Sequence, residues 1–190
     1  QGCGILCRDA RATLAKAVTY HRDHVATNGG YLWKYTADLT DQWGEGHASP
    51  TQVWVQPPGT PRVGRTYLQL WWTTGDSLYL RAAKEVADAL VQGQFVSGGW
   101  AYSIGFSDEE RTKYAYRVDG DAASKRNIST LDDNTTQEAT RLLIEVDAAL
   151  AFAEPVYHEA ANVALDFLGE AQYENGAWPQ RYPLPAEYGR

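Results

Sequence analysis

The apolar positions of this chain recur in register. Tyr79, Ala82, Ala83, Val86 and Leu90 fall at helical spacing, and so do Tyr157, Ala160, Ala161, Ala164 and Leu168. The segment from Tyr79 to Trp100 aligns without a gap on Tyr157 to Trp178, 78 positions later. Gln94 then matches Gln172, and Gly98-Gly99-Trp100 matches Gly176-Ala177-Trp178. The paired alanines predict that a second helix approaches closely. A weaker copy comes first, with a helix from about Arg8 to Val25 followed by Asn28-Gly29-Gly30-Tyr31-Leu32-Trp33.

Each of the two strong copies has an earlier helix. One spans Arg62 to Thr73 and is closed by Gly75-Asp76; the other spans Thr135 to Ala153 and is closed by Pro155. Asp76 suits the N-cap of the helix that follows, and Pro155 suits a first helical turn. The unit is therefore helix, short turn, helix, glycine-aromatic loop. At about 70 to 80 residues it exceeds common solenoid repeats of about 20 to 50. The predicted fold class is mainly α: repeated helical hairpins of α/α-toroid type in one domain over 1–190, whole or part of a longer chain. Two long connections carry short strands. Trp33 to Pro61 holds a candidate strand at Gln52 to Gln56, and Trp100 to Asp133 holds one at Ala101 to Phe106. Connections of that length in a compact domain usually carry function.

Composition narrows the partners. The net charge of −7 lacks a basic stripe and argues against nucleic acid. Mean hydropathy is −0.46, and no apolar run nears the roughly 20 residues of a membrane span. With no methionine, Gln1 is a processed N-terminus or a fragment edge. Export to a secreted, extracellular or periplasmic location fits the sequons at Asn127-Ile128-Ser129 and Asn134-Thr135-Thr136, although such triplets also arise by chance. Seven Trp and twelve Tyr suit either core filling or stacking on sugars. Cys3 and Cys7 suit a local disulfide or no role, because a zinc site needs about four ligands. His21, His24, His47 and His158 show no spacing of a metal site or catalytic dyad.

Two motifs narrow the chemistry further. Thr130-Leu131-Asp132-Asp133-Asn134 is followed by Ala171-Gln172-Tyr173-Glu174-Asn175-Gly176-Ala177-Trp178-Pro179-Gln180-Arg181-Tyr182-Pro183. Together they resemble the pectate lyases of polysaccharide lyase family 10, with Ala177 in place of a glycine. The resemblance is good over roughly residues 128 to 185. It implies a helical toroid that performs calcium-assisted β-elimination on polygalacturonate, an acidic polysaccharide. It also implies that the base, an arginine in that family, and further ligands follow the tryptophan-proline segment. The chain ends at Arg190, so it is expected to carry the first part of such a site, and no catalytic base is assigned.

The residues fit that chemistry in outline. Asp132, Asp133 and Asn134 offer three side-chain oxygens at a loop-to-helix junction, and calcium takes oxygen ligands with loose geometry. Asp or Asn before a helix, with Gln137 or Glu138 one turn in, is equally an ordinary cap. Arg181 follows the tryptophan-proline turn and suits contact with a uronate carboxylate, or is a solvated loop arginine. Arg126, Lys125 and Arg117 are the other cations considered, and Lys125-Arg126 reads as surface charge. Trp100 and Trp178 either stack on sugars or plug the tops of their hairpins. Two rivals stay open. One is a non-catalytic module that binds glycans or associates with itself. The other is a hydrolase pairing Asp133 with Glu45 or Asp119.

Overall fold

A computed structural model describes residues 4–184. Six helices carry the architecture: α1 (Ile5–Tyr20), α2 (Thr60–Thr74), α3 (Ser77–Gly93), the short α4 (Asp108–Arg111), α5 (Thr135–Ala149) and α6 (Pro155–Ala171). Three antiparallel two-stranded ribbons join them: β1 (Lys34–Tyr35) with β2 (Gln42–Trp43), β3 (Gln52–Trp54) with β4 (Ser103–Gly105), and β5 (Ser129–Thr130) with β6 (Arg181–Tyr182). No described helix is long and apolar enough to cross a membrane. Cys7 is disulfide-bonded; Cys3 and Arg190 lie outside the described residues.

Helices α2 and α3 pack as one hairpin and α5 and α6 as another, with α5 seated against α2 and α3. The alanines do what their spacing predicts. Ala82, Ala83, Ala160 and Ala161 are buried beside Tyr79, Val86, Leu90 and Tyr157. Gly64 of α2 completes the close approach, since a Cβ there would lie 2.5 Å from Leu142 of α5 and 2.8 Å from Val86 of α3. Asp76 caps α3 through a 2.9 Å bond from the Leu78 amide, and Pro155 opens α6.

The two hairpins share their details atom by atom. Trp100 Nε1 donates to the Leu90 carbonyl at 2.8 Å, and Trp178 Nε1 donates to the Leu168 carbonyl at 2.8 Å. Gln94 Nε2 donates to the Gly98 carbonyl, and Gln172 Nε2 to the Gly176 carbonyl, both at 2.9 Å. Helices α3 and α6 are both 17 residues long. The ribbons match as well, with Val53 facing Ile104 and Ser129 facing Tyr182. Gly98 must be glycine on two counts. Its φ is +107°, and a Cβ would lie 2.5 Å from Phe167 of the next hairpin.

Some boundaries differ from expectation. Helix α5 stops at Ala149 rather than Ala153, because Ala151 (φ 53°) and Phe152 (φ 60°) turn left-handed ahead of Pro155. The first helix runs as α-helix over Ile5–Tyr20 and continues as a π-helical turn over His21–Val25. The two central strands are shorter than their apolar runs. After Trp54 the amides of both Val55 and Gln56 point to one carbonyl, that of Tyr102, so the ladder ends there.

Candidate functional site

The Asp132–Asn134 turn sits where three loops meet. It follows β5 and precedes α5, and it has an unusual backbone. Asp133 (φ 49°) and Asn134 (φ 61°) are consecutive left-handed residues, a conformation that Asp and Asn tolerate better than other side chains. Asn134 occupies the N-cap of α5, yet its side chain makes no capping bond. Asn134 therefore does not cap α5 through its side chain, while Asp132 Oδ1 accepts the Asp133 amide at 3.1 Å. Strained turns of this kind cluster where a ligand is held.

Each side chain is oriented from a different part of the chain. Asp132 Oδ2 accepts from the Tyr102 hydroxyl at 2.7 Å and from Gln180 Nε2. Asp133 Oδ2 accepts from Gln56 Nε2 at 2.7 Å. Asn134 Nδ2 donates to Glu138 Oε2 at 3.3 Å. Glu138 is fully buried and is held in turn by Arg65 at 2.9 Å, Arg141 at 3.2 Å and Arg62 at 3.4 Å. These partners leave Asp133 Oδ1 and Asn134 Oδ1 unspent. Gln137 adds a buried Oε1 without a hydrogen-bond partner, while its Nε2 donates to the Leu131 carbonyl at 2.9 Å.

The turn forms one wall of a cleft of about 600 Å³, with Trp178, Pro179, Gln180, Gln137 and Leu168 on the others. Trp178 is 48% exposed and offers its ring to that cleft. Trp100 is 0% exposed. The expectation that it stacks on a sugar does not fit this burial, since its ring has no exposed face. Arg181 lies on β6, exposed, and is close enough to Asp132 to act on its charge. Asp119, a carboxylate of the hydrolase alternative, is engaged by Arg111 at 2.6 Å. Glu45 lies at a separate cleft.

Hydrogen bonds from Tyr102 and then Gln180 hold the Asp132 carboxyl below its usual range, and the charge of Arg181 adds to this. Burial, and then Asp132 itself, push the Tyr102 hydroxyl up, so it stays protonated and donates. The sign follows. A depressed carboxyl contributes stability above its ordinary value of 3.8 and loses it as pH falls through the lower folded value. Tyr102→Phe in the calcium-free protein is expected to move the Asp132 titration upward towards 3.8, read by carboxyl NMR. An unchanged titration would show that the hydroxyl does not set it.

The donor set suits a hard cation. It consists of oxygens alone, and calcium accepts six to eight of them, including carboxylates, amides and waters. No described group of three or more His, Cys, Asp or Glu side chains is arranged to hold a metal. Two carboxylates and one amide would supply only part of such a shell, leaving the rest to solvent and an anionic ligand. The sequence singles out Asp132, Asp133, Asn134, Arg181 and Trp178 as candidates but not Gln56, Tyr102 and Gln180, which hydrogen-bond to the two aspartates. One signal was available: Tyr102 and Gln180 each stand two places after an aligned tryptophan.

Residues 94–190, just over half of the 190-residue chain, match the family described as pectic acid lyase. The chain belongs to that family. Its fold is similar to that of the family 10 polysaccharide lyase from Cellvibrio cellulosa, at a TM-score of 0.53 and 18% identity over 90% of this chain and 51% of that one. An aspartate-to-alanine mutant of a family 10 lyase from the same organism, in complex with trigalaturonic acid, matches at 0.53 and 18% over 86% and 49%. The chain spans about half the length of these structures. No match to a curated protein sequence was found.

Proposed function

We propose that this chain contributes a polygalacturonate-binding site to a secreted or periplasmic pectate lyase that works by β-elimination. The observation that carries the reading is the Asp132–Asn134 turn. It is left-handed, released from capping, and fixed by donors from three loops with oxygens left over. A turn built only to start α5 would need none of these. The family and fold described above support the same reading. We further infer that the two hairpins are copies of one unit, and that only the second carries acid at this turn. The matching ribbons align Gln56-Pro57-Pro58 with Asp132-Asp133-Asn134, and the former offers no carboxylate.

β-Elimination passes the C5 proton beside a uronate carboxylate to a base, a role assigned to no residue here, and expels the O4-linked sugar, whose oxygen takes up a proton, leaving a 4,5 double bond. Negative charge accumulates on the carboxylate side as the C5–H bond breaks. Calcium held by Asp132, Asp133 and Asn134 would neutralise that carboxylate and lower the barrier. Arg181 would pair with a uronate carboxylate, and Trp178 would form the apolar wall against a sugar face. Gln56, Tyr102 and Gln180 fix the two aspartates, so little reorganisation is needed when substrate arrives.

The test is product formation. With calcium, the full-length gene product that includes this chain should convert polygalacturonate into unsaturated products that absorb in the ultraviolet, and a chelator should stop it. Calcium-dependent binding without such products would leave a glycan-binding module and sink the lyase reading. Products lacking a double bond would favour hydrolysis.

A further inference from the structure

A second cleft adjoins the first and has no role in the reading above. It measures about 390 Å³ and is lined by Trp54, Tyr102, Tyr114, Arg126 and Glu45. Three aromatic rings and one cation converge there, Trp54 from β3 and the others from the connection that follows Trp100. Tyr102 belongs to both sites, since it lines this cleft while its hydroxyl donates to Asp132. Trp54 is tied to the first site too, because its Nε1 donates to Gln56 Oε1 at 3.0 Å and Gln56 holds Asp133. The two clefts are therefore joined through a continuous wall.

The second cleft is built rather than incidental. Trp54 is pinned by that bond, by Trp33 edge-on at 6.2 Å, and by Gly44, where a Cβ would lie 2.0 Å from the indole. Tyr114 stacks on the buried Phe95 at 5.9 Å, which fixes its plane. Rigid aromatic side chains lose little entropy on binding and present flat apolar faces suited to sugar rings. Arg126 is exposed and makes no ion pair with a described residue. It differs in this from Arg111 and Arg117, which Asp119 and Glu159 neutralise. An unpaired guanidinium beside aromatic faces suits a planar carboxylate on a sugar. Glu45, on the same cleft, is an acceptor for sugar hydroxyls.

We propose that this cleft is a second uronate subsite, in which Arg126 pairs with the carboxylate of a sugar residue lying along the chain from the one at Asp133, and Trp54 and Tyr114 form its walls. The inference rests on the polygalacturonate reading above and extends it to longer chains. The Lys125-Arg126 pair then has a ligand-binding member, where the sequence suggests surface charge alone.

Calorimetric titration tests it, using the whole chain with calcium and two probes: hexagalacturonate and its fully methyl-esterified form. Arg126→Gln should weaken hexagalacturonate binding about tenfold, the size expected for loss of a charge-assisted bidentate contact. It should leave the esterified probe within about twofold, and Arg126→Lys should recover part of the loss. Circular dichroism would confirm that the exposed loop substitution leaves the fold intact. Equal weakening of both probes, or of neither, overturns the subsite. If the wild-type protein binds neither probe, the polygalacturonate reading falls with it. If Arg126-dependent binding persists but no unsaturated product ever forms with the full-length gene product, the subsite stands and the lyase reading fails.

Discussion

Trp100→Ala is expected to destabilise the fold by about 3–5 kcal/mol, the range for removing a large buried aromatic. Its indole is fully buried, and its Nε1 satisfies the Leu90 carbonyl, which would be left buried and unpaired. The equivalent change Trp178→Ala should cost about 1 kcal/mol or less, because that ring is 48% exposed although it makes the same bond, to Leu168. Urea unfolding reads both, as a fall in midpoint at unchanged slope. One position in two aligned loops thus has two roles. At Trp100 the ring is buried in the core; at Trp178 it lines a cleft and stays half exposed. Comparable losses of stability from the two substitutions would show that Trp178 is a plug as well.

The difference between these two tryptophans was not legible in the sequence, whereas their equivalence was. A pattern of 3.6-residue spacing reports which face of a helix is buried. It does not report what covers the loop at the helix end. The glycines carry part of that missing information. Gly99 approaches Thr136 and Ser129 so closely that a Cβ would lie 2.7 Å from the Thr136 hydroxyl. Its counterpart Ala177 is exposed, so a methyl group is tolerated there. The end of α5 was hidden for a related reason. Ala151 and Phe152 take positive φ without the glycine or asparagine that usually marks such a stop.

The candidate site was half legible. Asp132, Asp133 and Asn134 stand together in the chain, so their oxygens could be counted, but a helix cap and a ligand site look alike at that level. Backbone angles add what the sequence lacks: Asn134 at φ 61° makes no side-chain capping bond. The partners come from afar. Gln56 precedes Asp133 by 77 positions and Tyr102 precedes Asp132 by 30. No local pattern links residues across such separations; only the pairing of β3 with β4 and of β5 with β6 brings their loops together.

Asp133→Asn is the substitution with the largest expected effect on activity, and the geometry makes it a clean one. Alanine would force an unsuited side chain into φ 49°, mixing backbone strain with lost chemistry. Asparagine tolerates that angle and keeps an oxygen to accept from Gln56. It removes only the negative charge and one acceptor. Stability should then change by no more than about 0.5 kcal/mol, as for other exposed substitutions. Calcium-dependent product formation should fall by about a hundredfold or more, the order seen when one electrostatic contributor to a transition state is lost. Calorimetry should show the calcium affinity falling in parallel. Raising the calcium concentration should restore part of the rate if Asp133 acts through the metal. A rate that stays low at saturating calcium would instead place Asp133 on the substrate. A variant as active as the wild type would remove the Asp132–Asn134 turn from the reaction altogether.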